Sequence, residues 1–165
     1  MRRFRRVAGG HVQLRLPHAE RGLLASVIPQ LRMVVEGDDD VANLRARLFP
    51  PAYEDPEREH EFQQLVGDDL LQQRLASVDT ALATLDDGHA RARHWVVELD
   101  AEQVQAWLSV LHDLRLILAQ IVGIATEADW DRTRDGTDPA ELVLWHVGVL
   151  QEELLDVLMT ELPDT

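Results

Sequence analysis

Glu57, His60 and Glu61 are the residues of this chain whose types and spacing come nearest to a reactive site. Spacings of three and four put the three side chains on one helical face, where a divalent ion could bind. The same run also holds Arg58 and Glu59. Neither H-E-x-x-H nor a paired Glu-x-x-His is present, so the expectation is a solvated acidic face and no metal. His112-Asp113 and His146 fall on apolar helical stretches and read as core-edge residues. Asp38-Asp39-Asp40 lacks the alternating D-x-D-x-D-G of a calcium loop and reads as a helix end. Ser26, Ser77 and Ser109 lie within helical stripes, without a nucleophile elbow, P-loop or dinucleotide fingerprint anywhere in the chain. Cysteine is absent, which excludes disulfides, thiol nucleophiles and Cys-ligated zinc. No catalytic, cofactor-binding or metal-binding residue is assigned, and the expectation is a protein that is not an enzyme.

Charge is more informative than motif. Residues 1–32 carry seven arginines against the single acid Glu20, a net +6, while the whole chain is −14. The remaining residues therefore hold −20. A basic arm on an acidic body can touch an anion locally while the body repels a long polyanion. Arg2, Arg3, Phe4, Arg5 and Arg6 are the candidate contact residues: the arginines for phosphates, Phe4 or an arginine for a groove. Trp95, Trp107 and Trp145 read as mainly core, whereas Trp130, in the polar segment ATEADWDRTRDGTD, reads as an exposed contact anchor. Arg115 is the last candidate contact. It and Asp113 flank Leu114 inside an apolar stripe, so at least one is expected to pair with an opposite charge on a neighbouring helix. No helix-turn-helix with a basic second helix is visible, which argues against autonomous sequence-specific DNA binding.

The elements that must position these residues are mostly helical. Phe4–Val7 and Val12–Leu16 read as strands around the turn Ala8-Gly9-Gly10, with Val12, Leu14 and Leu16 alternating against Gln13 and Arg15. Pro17 suits a first helical turn, and Pro29 inside the stripe Leu23 to Val35 is expected to kink that helix. A short helix over 41–48 precedes Pro50-Pro51. Helical stripes then predict core helices near 68–85, 101–123 and 139–160, with a strand over 94–99 and a polar connection over 124–137. Asp100 and Asp138-Pro139 are the expected helix starts. The strand-then-helix pattern Val12 to Leu31 is echoed by Trp95 to Leu114, a periodicity that any strand feeding a helix would give. The expectation is one domain over residues 1–165, α+β but mainly α: a helical bundle covering a small antiparallel sheet made from the N-terminal hairpin and a mid-chain strand.

Four segments in order carry a resemblance. They are Met1-Arg2-Arg3-Phe4-Arg5-Arg6, Arg47-Leu48-Phe49-Pro50-Pro51-Ala52-Tyr53, Trp107-Leu108 through Asp113-Leu114-Arg115-Leu116, and Leu150-Gln151-Glu152-Glu153-Leu154. Together they resemble the actinobacterial domain-of-unknown-function family that includes the actinomycete oxidative stress regulator AosR. The resemblance implies a cytoplasmic transcriptional regulator of the oxidative-stress response. Its implied partners are an alternative sigma factor of the extracytoplasmic-function type, or RNA polymerase, with promoter DNA touched through the arm. Redox activation through cysteine, which belongs to that regulator, has no residue to carry it here. The alternative expectation is a helical adaptor or scaffold that does not bind DNA. No membrane contact is expected, since no run approaches the ~18 apolar residues of a spanning helix. Cysteine absence and the lack of an apolar leader behind the basic start fit the cytoplasm. A homodimer is open.

Overall fold

The computed structural model describes residues 1–37, 42–133, 136 and 138–160. Its elements follow the order β1 (Phe4–Arg6), β2 (Val12–Pro17), α1 (His18–Glu36), α2 (Ala42–Leu48), α3 (Pro56–Asp87), β3 (His89–Arg91), β4 (His94–Leu99), α4 (Ala101–Val122), α5 (Glu127–Thr133) and α6 (Pro139–Met159). The protein is α+β and mainly α, with one four-stranded antiparallel sheet in the order β1-β2-β4-β3. No single helix is long and apolar enough to cross a membrane.

The sheet is built from two hairpins joined at their inner strands. Leu14 pairs with both Phe4 and Val97. Opposed residues of an antiparallel pair share a face, so Phe4, Val12, Leu14, Leu16, Trp95, Val97 and Leu99 form one buried surface. The other face carries Arg5, Gln13, Arg15, His89, Arg91, His94 and Glu98. The helices cover the first face, with α1 against β2, α3 and α4 against β4, and α6 against β1. β2 and β4 lie side by side and each runs directly into a long core helix, which is how the two echoed segments sit in the fold.

The helix starts are those that local chemistry dictates. Asp100 and Gln103 form a reciprocal capping box at α4. Asp138 accepts from the Ala140 N–H ahead of α6, with Pro139 in the first turn. Gly37 ends α1 and Gly123 ends α4 in the left-handed region, at φ 76° and 82°.

Four details differ from the sequence expectation. Pro17 is the last residue of β2, extended and paired with His94, rather than part of the first helical turn. α3 spans 32 residues instead of starting near 68, because Asp55 caps it and Pro56 opens it. The ~1 kcal/mol cost of Gly67 inside it is small against an unbroken hydrogen-bond ladder. The polar connection contains α5, held where Asp129 Oδ2 accepts from the Ala125 and Thr126 N–H groups at 2.9 and 3.1 Å. β3 pairs with β4 as an edge strand that has no counterpart in the sequence pattern. Of the acidic run at the end of α1, Asp38, Asp39 and Asp40 lie outside the described residues.

Among the described residues the buried polar side chains are Thr84, Asp113 and Thr133, and the first two join core helices. Trp107 donates to Thr84 Oγ1 at 2.9 Å, and that hydroxyl donates to the Ala81 carbonyl at 2.7 Å. Asp113 of α4, 2% exposed, pairs with Arg74 of α3. Arg74 also donates to the Leu48 carbonyl at 3.0 Å and lies 5.2 Å over the Phe49 ring, tying α2, α3 and α4 together. This is the expected buried partner of the Asp113/Arg115 stripe, and Asp113 is the residue that has it.

Candidate functional site: an arginine-lined groove

Where β1 meets the end of α6, Arg2, Arg3, Phe4, Arg5, Arg6, Gln13, Arg15, Val157 and Thr160 line a groove of about 460 Å³. Strand pairing explains the convergence. Arg5 and Gln13 are opposed, and Arg15 donates its backbone N–H to the Arg3 carbonyl at 2.8 Å, so guanidiniums from two strands reach one edge.

These arginines are not equivalent. Arg3 is fixed: its Nε and Nη2 donate to both Glu20 oxygens at 3.0 and 2.6 Å. Its backbone N–H donates to Glu153 at 2.7 Å, and Nη1 lies 3.7 Å from the same carboxylate. A bidentate, largely shielded pair of this kind holds geometry well. Arg2 meets Asp156 at 3.2 Å with both side chains about two-thirds exposed, a contact worth about 0–1 kcal/mol. Arg5 donates to Gln13 Oε1 at 2.8 Å and Arg15 to His94 Nδ1 at 3.0 Å. Both acceptors are neutral, since an arginine can only donate and His94 must therefore offer a lone pair. Arg2, Arg5 and Arg15 can thus turn toward an added anion at little cost. Arg6 lines the groove with them.

Behind Arg3 lies a small ionic cluster. Burial works to raise the Glu20 carboxyl, but hydrogen bonds from Arg3 and the charges of His146 and Arg3 hold it below the usual range. His146 Nε2 sits 3.8 Å from Glu20 Oε2, and burial keeps this imidazole below its ordinary value against the pull of Glu20. The cluster is a tether that fixes β1 to α1 and α6.

The other candidate residues fare differently. Phe4 is 0% exposed and packed opposite Leu14, so it belongs to the core and cannot be laid in a groove. Trp130 is half-buried against the core with the Arg115 guanidinium 5.0 Å over its ring, and is not the free aromatic that its polar neighbours suggest. Arg115 donates to Gln151 of α6 at 3.2 Å. It and Trp130 meet in a separate recess with Arg47 and His112, which shares no residue with the arginine groove. Glu57, His60 and Glu61 stand exposed on the first turns of α3, and among the described residues no group of three or more His, Asp or Glu could hold a metal ion. Two features escaped the sequence reading. Arg15 is an outward position of an alternating strand, and only the pairing of β1 with β2 brings it to the arm. Trp145, grouped with the core, is 53% exposed.

Over residues 1–158 the chain matches the family described as Domain of unknown function (DUF2017). It belongs to that family. No curated protein and no solved structure matches it.

Proposed function

We propose that this DUF2017 protein is a non-enzymatic transcriptional regulator of the oxidative-stress response that acts with an alternative sigma factor, in the manner of AosR. The observation that carries the DNA-contacting part is the convergence of Arg2, Arg5 and Arg15 at one groove of a chain whose net charge is −14. Local cations neutralise a few phosphates, and the acidic body prevents tight independent binding, so promoter choice is left to the sigma factor and polymerase. Redox input does not come from a thiol of these 165 residues, which hold no cysteine.

The test is a salt titration of duplex-DNA binding, for the protein alone and with polymerase carrying the sigma factor. Three available arginines limit the slope of log affinity against log salt to about −2.7. Arg2→Ser/Arg5→Ser/Arg15→Ser removes the DNA contact and keeps the fold, because none of the three is buried. Arg3 is left intact as part of the tether. Identical curves for wild type and triple variant overturn the DNA contact.

The second reading is a helical adaptor that never meets DNA. It is favoured by one observation, the apolar outer face of α6, on which Leu142, Trp145, Leu155 and Met159 are 42–66% exposed.

A further inference from the structure

α6 is apolar on two sides. Its inner stripe, Leu144, Val147, Leu150, Leu154 and Val157, is spent on the core. On the opposite side Leu142 is 54% exposed, Trp145 53%, Leu155 42% and Met159 66%. At 1.5 Å per residue this second stripe runs about 26 Å. Isolated exposed apolar residues are ordinary, but a stripe of this length along one helix, containing a half-exposed tryptophan, marks a contact surface. Gly148 adds a notch beside Trp145: a Cβ placed there would meet no atom within 4 Å, so another backbone can approach closely.

Charge decides the occupant. From Pro139 to Met159 the helix carries Glu141, Glu152, Glu153 and Asp156 and no Arg or Lys. Glu153 and Asp156 already meet Arg3 and Arg2. Glu152 lies along the stripe between Trp145 and Leu155, seven residues from one and three from the other. A second copy of this chain offering the same face would bring like carboxylates together on two bodies of −14 each, which is unfavourable. We infer that the outer face of α6 docks an amphipathic helix of another protein, with an apolar stripe that packs on Leu142, Trp145 and Leu155 and a flanking Arg or Lys that meets Glu152. This surface stands on α6 alone and requires neither the DNA contact nor any particular regulatory partner.

The test uses the intact protein and two labelled synthetic helices with the same leucine stripe, one flanked by arginines and one by glutamates, followed by fluorescence anisotropy at low salt. The arginine helix is expected to bind at least tenfold more tightly. Trp145→Ser should weaken it about thirtyfold, the size of an anchor lost from an interface centre. Glu152→Arg should shift preference toward the glutamate helix. Equal binding of the two helices, or no loss with Trp145→Ser, overturns the inference. So does sedimentation showing a dimer of the protein alone that Trp145→Ser dissolves, because the occupant is then a second copy. Circular dichroism of both variants separates lost binding from lost fold.

Discussion

Replacing Arg74 by Met strips a buried carboxylate of its counter-charge. Asp113 is 2% exposed, and burial pushes its carboxyl above the ordinary range while Arg74 and His112 pull it back. With Arg74 gone, Asp113 must stay ionised and unpaired or take up a proton. Breaking one side of a buried pair costs about 3–5 kcal/mol. The Arg74 side chain is 26% exposed, which places the loss near the lower end, about 3 kcal/mol. The Leu48 carbonyl also loses its donor, adding about 1 kcal/mol. For a chain of this length 1 kcal/mol moves Tm by about 2–4 °C, so Arg74→Met should melt about 8–16 °C lower at pH 7. In Arg74→Met/Asp113→Leu no orphan charge remains, and most of the loss should be recovered. The pH dependence has a definite sign. A carboxyl raised in the folded state contributes stability below its unfolded value of about 3.9, and loses it as pH rises through the folded value. The deficit of the single variant should therefore shrink between pH 7 and pH 5. Thermal unfolding followed by circular dichroism reads all three quantities. A shift below about 2 °C for Arg74→Met, or a double variant as unstable as the single, would refute the buried-pair reasoning.

The cluster behind Arg3 gives a second pH effect. His146 is held below its ordinary pKa by burial, so its contribution is present above about pH 6.5 and is lost as pH falls through the lower folded value. The Tm advantage of wild type over His146→Gln should narrow from pH 7.5 to 5.5, and a pH-independent difference would contradict it. Gly88 is a packing constraint with no backbone strain, since its φ is −74°. A Cβ there would lie 2.1 Å from the ring of Trp95, which is 4% exposed under Arg21. Gly88→Ala should cost about 1–3 kcal/mol in thermal unfolding, and an unchanged Tm would show that the Trp95 pocket yields.

Periodicity and caps determined much of this protein before any tertiary contact. The stripes of α1, α4 and α6, the alternation of β2 and β4, the capping residues Asp100 and Asp138 and the charge split are properties of neighbouring residues, so a linear reading finds them. β3 was hidden because its link to β4 is Ala92-Arg93 with Ala92 at φ 54°, and no Asn-Gly or Asp-Gly marks the turn. The first half of α3 was hidden because it buries little. Its start is set by Asp55 and by Glu59, whose carboxylate accepts the Ala52 and Tyr53 N–H groups at 2.8 and 2.9 Å.

The candidate surfaces were legible only in part. Composition placed a cluster of arginines at the N-terminus, but pairing across the sheet brought Arg15 to them, made Arg3 a tether and turned Phe4 inward. Local polarity marked Trp130 as exposed and an apolar helix marked Trp145 as core, whereas the fold half-buries Trp130 under Arg115 and leaves Trp145 half exposed. Periodicity shows that a helix has an apolar face. When a helix has two, as α6 does, only the packing of the other elements decides which one is covered and which is left facing solvent.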